Sequence, residues 1–400
     1  MTKFQVVRVS ELRVGSVLRS PIYDSQGAEL LRAGREITAE LIERLRQREL
    51  VAVVIAAADL ERVRRGPDPR PSAKAKADER AAAKEPFLKQ IRSHGATPYD
   101  SETVLRFASE YQTYSKDLTP FLRSIADAKA ADAHTVASIS ESSLQLAIED
   151  IDLFAGYGAI VPGDTDPSQH SLQVATLAMS VGVRMGLSQE ALTNLGVGCL
   201  LHNVGVLKLG QTDRARPRDV DSAKLSEMTK HAMITMSILL NKELQGVSKD
   251  SLMVAYQVYE RCDGSGYPSG LARSQIHPLA KIASVAETYV DRVTPRPGQA
   301  SSLPHQALRS ILEDVRRGQF EAEVVRALLQ TVSAFPIGSF VELSDQRVGR
   351  VIRANTEEYV CPIVLIEDKD GAPANATVVD TASLPGCEVI GAIAAPALFV

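Results

Sequence analysis

The sequence predicts a mainly α-helical protein, with a small α/β module ahead of the helices and a small all-β segment behind them. Three observations carry that expectation. Apolar residues recur at helical spacing from Phe87 to about Val332. Short runs rich in β-branched residues, broken by turn residues, occupy both ends. The composition is that of a globular protein, with 44% hydrophobic and 24% charged residues in a chain of 400. That length suggests two or three domains. The 45 Lys and Arg nearly balance 49 Asp and Glu, a net charge of −4, which argues against a chain built around DNA or RNA. No run approaches the ~18 apolar residues of a membrane span. Met1 to Gln5 leads into mixed polar sequence rather than a signal-peptide core. The four cysteines, Cys199, Cys262, Cys361 and Cys387, show no paired spacing. That argues against a disulfide framework or a Cys-ligated zinc and fits a reducing cytoplasm.

Residues 1–56 read as the α/β module. Val14 to Leu18 and Pro21 to Asp24 alternate as short strands do, Thr38 stands as N-cap before the amphipathic Ala39 to Leu45, and Val51 to Ile55 reads as a closing strand. Residues 57–86 read as a linker: Arg62 to Pro86 is rich in Arg, Lys, Ala and Pro. A basic tether for acidic lipid or nucleic acid is the alternative there, but Asp68, Asp78 and Glu79 intersperse the cations. Residues 87–150 read as a helical connector, and Phe107 to Ile148 offers a surface for a homodimer. Residues 151–332 read as a helical domain. Its apolar faces are Leu172 to Val183, Leu192 to Leu201, and Met233, Ile234, Met236, Ile238 and Leu239. Residues 333–400 read as the β segment. Phe340 to Leu343 and Val348 to Ile352 flank a turn at Ser344 to Gln346, and Pro362 to Ile366 precedes a turn at Asp370-Gly371.

Two features of the helical domain suggest chemistry. Asp166 and His170 stand four apart at a helix start, His202-Asn203 ends an apolar helix, His231 opens the next, and Glu287 is a carboxylate on an apolar helix. Imidazole and carboxylate are donors that transition metals accept, although a single His on an apolar helix is more often a hydrogen-bonded core residue. The second feature is the loop from Glu260 to Leu271. Gly264, Gly266 and Gly270 allow positive φ, Tyr267 offers a stacking face and a hydroxyl, and Arg261 could pair with a phosphate. A Gly-rich structural turn reads the same way without context.

Taken in order, His170, His202-Asn203, His231, Asp263-Gly264-Ser265-Gly266-Tyr267-Pro268 and Val285-Ala286-Glu287 resemble an HD-GYP domain, over about Pro167 to Pro297. The resemblance implies an all-helical fold that holds two or three metals, usually iron or manganese, and hydrolyses the phosphodiester of cyclic di-GMP. It places metal positions at Asp166, His170, His202, His231 and Glu287. It places nucleotide contacts at Arg261, Asp263, Gly264, Gly266, Tyr267 and Pro268, and matches Arg296-Pro297 to a pair after the last ligand helix.

The departures are as informative. The family's HD aspartate is Asn203, its lysine is Val206 with Lys208 two positions late, its adjacent histidine pair is Val258-Tyr259, and its last aspartate is Glu287. Two dications ~4 Å apart repel by roughly 17 kcal/mol at an effective dielectric of ~20. Anionic ligands must offset that, and Asn203 brings no charge. The residues that remain suit at most one iron or manganese ion, or none. Three readings follow: an impaired HD-GYP module that binds cyclic di-GMP, a GGDEF-type protein or another signalling partner; an active metal-dependent cyclic di-GMP phosphodiesterase; or a helical scaffold between the end modules.

Overall fold

The computed structural model describes residues 4–24, 29–48, 50, 52–60, 63, 86–127, 129, 131–159, 166–210, 222–240, 244–245, 247–295, 302–366, 377–384 and 386–394. Most of the expected linker at 57–86, the Arg296-Pro297 pair and the turn at Asp370-Gly371 lie outside these residues. The chain forms two compact units, Met1–Ala81 and Ala82–Val400.

In the first unit, β1 (Phe4–Arg8), β2 (Ile22–Tyr23), β3 (Glu29–Leu31), α1 (Ala39–Gln47) and β4 (Ala52–Ala56) follow in order. The antiparallel sheet runs β1-β4-β2-β3. Thr38 caps α1 as expected, its hydroxyl accepting from Leu41 N at 3.1 Å. Val7, Ile22, Ile37, Leu45, Val53 and Ile55 form the core, which extends to Val63. The stretch Val14 to Leu18 is a turn with a single bridge from Val17 to Glu36, not a strand. Gly15 sits at φ 91°, which ends the extended backbone there.

The second unit is helical for most of its length. Pro86–Gln90 (α2), Ser101–Ala126 (α3), Ala131–Asp132 (β5), His134–Glu149 (α4), Ile151–Ala159 (α5), Pro167–Arg184 (α6), Gln189–Leu201 (α7), Val204–Leu209 (α8) and Ser222–Leu239 (α9) come first. Leu244–Gln245 (β6), Lys249–Gln257 (α10), Pro278–Val293 (α11), Pro304–Arg316 (α12) and Ala322–Val332 (α13) follow. β5 and β6 form a short parallel pair. The α6 and α7 helices are buried along most of their length, because other helices surround them. The window from Gln189 to Leu209 is apolar and long enough to cross a bilayer by composition alone, but 72% of it is buried inside this unit. Phe107, Leu118, Leu122, Ile139 and Leu144 are buried in the same core. The buried apolar positions between Phe107 and Ile148 are therefore used within one chain.

The α9 helix departs from its apolar reading. His231, Ala232, Thr235 and Leu239 face inward, while Met233 is 52% exposed. His231 also stands in the second half of this helix, not at its start.

The last strands are β7 (Phe340–Leu343), β8 (Val348–Arg353), β9 (Ile363–Ile366), β10 (Thr377–Asp380) and β11 (Val389–Ile393). They form one antiparallel sheet in the order β10-β9-β8-β7-β11. The β7–β8 hairpin turns at Gln346, where φ is 67°. The strand β11 had no signal in the sequence, since Gly391 and alanines interrupt its apolar run.

Buried polar contacts tie this sheet to the helices. Arg353 on β8 is buried and donates to both oxygens of Asp150 (3.0 and 2.9 Å), to Asp152 (3.2 Å) and to the Thr97 carbonyl (2.6 Å). Its guanidinium lies 4.5 Å from the Tyr99 ring centroid, and the Tyr99 hydroxyl donates to the Ile352 carbonyl. Residues on both sides of 150 and of 332 belong to the second unit.

Candidate metal and nucleotide site

Three helices bring the site together. Asp166 caps α6, its carboxylate accepting from Ser168 N at 2.7 Å, and Pro167 opens the first turn. His170 lies one turn further in and is buried. The α7 helix ends at His202, whose Nδ1–H donates to the Cys199 carbonyl at 2.5 Å. A carbonyl only accepts, so this bond fixes the ring orientation and leaves Nε2 toward the pocket. Glu287 reaches the same point from α11.

The atoms converge closely. Ligand atoms of His170, His202 and Glu287 all lie within 4.8 Å of one another. His170 Nε2 is 2.6 Å from Glu287 Oε2, and His202 Nε2 is 3.3 Å from the same oxygen. Burial by itself raises the Glu287 carboxyl, but the imidazoles of His170 and then His202 outweigh it and hold the group well below the usual carboxylate range. Glu287 is an anion set among nitrogen donors, a donor set that fits one divalent ion.

The other metal positions lie differently. Asp166 uses its side chain as a helix cap and stands outside the group of three. His231 also stands outside it: its ring packs edge-on against Tyr259 (5.0 Å) and Tyr267 (6.0 Å). Tyr259 and Tyr267 stack with centroids 4.8 Å apart and planes 10° from parallel. The Tyr259 hydroxyl donates to Asn203 Oδ1 at 2.9 Å. Val206 and Val258 are buried, while Lys208 is exposed on α8 and supplies no cation to the pocket.

The sequence reading missed two residues that hold this arrangement. The Thr235 hydroxyl accepts from Gly205 N (3.0 Å) and donates to the His202 carbonyl (3.2 Å), stapling the His202-Asn203 turn to α9. A Cβ at Gly205 would run into the His231 carbonyl oxygen, so only glycine lets α8 approach α9 so closely. Glu260 is the second. Its buried carboxylate accepts from Ser269 N (2.8 Å) and Leu271 N (2.9 Å), pinning the far side of the Gly-rich loop. An acidic residue just before a glycine-rich stretch was the available signal.

Within that loop Asp263 Oδ1 accepts from Ser265 N (3.0 Å) and Ser265 Oγ (2.6 Å), and Gly264 sits at φ 81°. A Cβ at Gly266 would lie 2.5 Å from Glu260 Cα, so this position also requires glycine. Tyr267 N donates to the Tyr259 carbonyl at 3.2 Å, and the peptide to Pro268 is cis. The Arg261 guanidinium is turned into the helix packing. It donates to the Glu260 carbonyl (2.9 Å) and Thr288 Oγ1 (3.0 Å) and lies 5.0 Å from the Phe320 ring centroid. These contacts make it a structural tie between the loop and α11.

The HD domain family model matches residues 160–324, the stretch that carries His170, His202, the loop and Glu287. This region is an HD domain of the HD-GYP type. Several curated relatives bear the name cyclic di-GMP phosphodiesterase. One from Pseudomonas aeruginosa is 27% identical over 197 residues, 49% of this chain and 47% of the relative. PdeB of Borreliella burgdorferi is 22% identical over 202 residues, 50% of this chain and 52% of the relative. One from Thermotoga maritima is 28% identical over 169 residues, 42% and 45% of the two chains. The chain spans about half the length of the curated relatives it matches. Among solved structures, an HDG"Y"P protein from Bdellovibrio bacteriovorus covers 82% of this chain and 98% of its own, with 16% identity and a TM-score of 0.47. The HD-GYP region here keeps a His/Glu group able to hold a divalent ion.

Proposed function

We propose that this chain is a cytoplasmic signalling module of the cyclic di-GMP pathway that binds the dinucleotide, or a partner that handles it, and hydrolyses it very slowly or not at all. The observation that carries this reading is the pairing of Asn203 with Tyr259 at 2.9 Å where the family pattern has an aspartate and a histidine. The donors that remain, His170, His202 and Glu287, suit one iron or manganese ion. A second dication would add roughly 17 kcal/mol of repulsion at ~4 Å and an effective dielectric of ~20, with no further anion in the group to offset it. The loop from Asp263 to Pro268, by contrast, keeps its full pattern and is braced by Glu260.

A bound divalent ion would supply Lewis-acid polarisation of a phosphoryl oxygen and a lowered pKa for water. The chain's own contribution is to hold Glu287 ionised and His202 oriented through Cys199. A second reading, a one-metal phosphodiesterase, draws on this retained donor set.

One experiment separates the two. Protein loaded with Mn²⁺ or Fe²⁺ is given cyclic di-GMP, with binding measured by calorimetry and linear product by chromatography. Binding with turnover far below ~1 per second supports the module reading. Turnover at or above that rate refutes it in favour of the enzyme, and absence of any binding moves the function to a protein partner.

A further inference from the structure

The departures at positions 203 and 259 are one device, because the two side chains meet. The Tyr259 hydroxyl donates to Asn203 Oδ1 at 2.9 Å. That bond orients the amide so that Nδ2 donates to Ser171 Oγ at 3.2 Å and faces His202 Nε2 at 2.7 Å. Across the imidazole, Nδ1–H is already committed to the Cys199 carbonyl at 2.5 Å. When this ring is neutral its lone pair lies on Nε2, the atom any metal would need; the Asn203 amide sits on that atom, and Glu287 Oε2 lies 3.3 Å from it. These residues are all buried, so bulk water does not compete for these positions.

We infer that Asn203, positioned by Tyr259, is an internal competitor for the metal: it takes the His202 Nε2 position and lets the pocket stand complete without a cation. This deepens the one-ion reading given above and rests on it. The chemistry explains why both substitutions occur together. An amide offers a donor and an acceptor, so it can satisfy the phenol and the imidazole at once. An aspartate in its place could accept from Tyr259 but could not donate to Nε2. It would also set a second buried carboxylate near Glu287 in need of a cation. A histidine at 259 would remove the phenol that holds the amide in this orientation. Metal entry at His170, His202 and Glu287 then requires Asn203 to turn away and give up its bond to Tyr259. Tyr259 is a positioning residue in this scheme, acting on the metal site through Asn203.

The test uses the full chain and Mn²⁺ alone. Wild-type protein is expected to melt at the same temperature in EDTA as in buffer. Tyr259→Phe removes the bond that metal entry must break, so calorimetry should show Mn²⁺ binding about three- to tenfold tighter, while the melting temperature in EDTA falls. A merely structural tyrosine would lower the melting temperature with and without Mn²⁺ and leave Mn²⁺ affinity unchanged. Asn203→Asp should turn the fold metal-dependent, with melting lowered in EDTA and restored by Mn²⁺. Should Tyr259→Phe fail to fold, that Asn203→Asp response decides the matter. Wild type that loses stability in EDTA, unchanged or weaker Mn²⁺ binding by Tyr259→Phe, or an Asn203→Asp protein indifferent to metal would each overturn the inference. Binding of cyclic di-GMP in EDTA is scored separately, so a failure of the proposed function is told apart from a failure of this mechanism.

Discussion

Replacing Arg353 by alanine tests how the C-terminal sheet is held. The guanidinium is 2% exposed and satisfies Asp150, Asp152 and the Thr97 carbonyl at 2.6 to 3.2 Å. Its loss leaves two carboxylates in a site built for a cation, and breaking a buried pair from one side costs about 3–5 kcal/mol. The pH dependence gives the sharper check. Burial, and then the charge of Asp150, push the Asp152 carboxyl up to about 6 against an ordinary 3.8, while Arg353 pulls it down. Between those values the folded protein keeps a proton that the unfolded chain has released. Asp152 therefore adds most to stability below pH ~4, and about 3 kcal/mol of that is lost as the pH rises through ~6. Without Arg353 the carboxyl is driven higher still, and protonation relieves the deficit. Urea unfolding of wild type and Arg353→Ala at pH 8 and pH 5 should show a destabilisation of about 3–5 kcal/mol at pH 8 that shrinks at pH 5. A loss under ~1 kcal/mol at pH 8, in the range of an exposed pair, would refute the burial argument. An equal loss at both pH values would refute the assignment of Asp152.

Three further outcomes follow from the site. Gly266→Ala places a Cβ against Glu260 Cα, so the loop must shift; cyclic di-GMP binding should weaken at least tenfold by calorimetry, with helical circular dichroism unchanged. Glu260→Gln replaces an anion that accepts from Ser269 N and Leu271 N by an amide with a single acceptor oxygen. Loss of one charge-assisted bond should cost about 1.5–3 kcal/mol in denaturant unfolding and speed amide exchange at those two positions. Thr235→Val leaves Gly205 N and the His202 carbonyl without the hydroxyl that joins them. A destabilisation of about 1–3 kcal/mol is expected, and a neutral result in thermal melts would show that the staple contributes nothing.

The sequence by itself determined the helical class, the cap at Thr38, the β7–β8 hairpin and the residue types of the site. These rest on short-range signals: helical spacing, a capping hydroxyl, a turn between β-branched runs, and a motif with fixed order. It also showed that position 203 is neutral and that positions 258 and 259 carry no imidazole. Only the tertiary structure decided what those residues do. His170, His202 and Glu287 converge from three helices, while the Asp166 carboxylate caps α6 and the His231 ring packs edge-on against Tyr259. Arg261 points into the packing because Thr288 and Phe320, distant in sequence, meet it there. Tyr259 and Asn203, 56 residues apart, form a bond that spacing along the chain could not reveal. Arg353 likewise finds Asp150 across 203 residues. Periodicity reports which face of an element is apolar, whereas the partner of a buried polar atom is set by which elements pack together, and that is fixed only when the core closes.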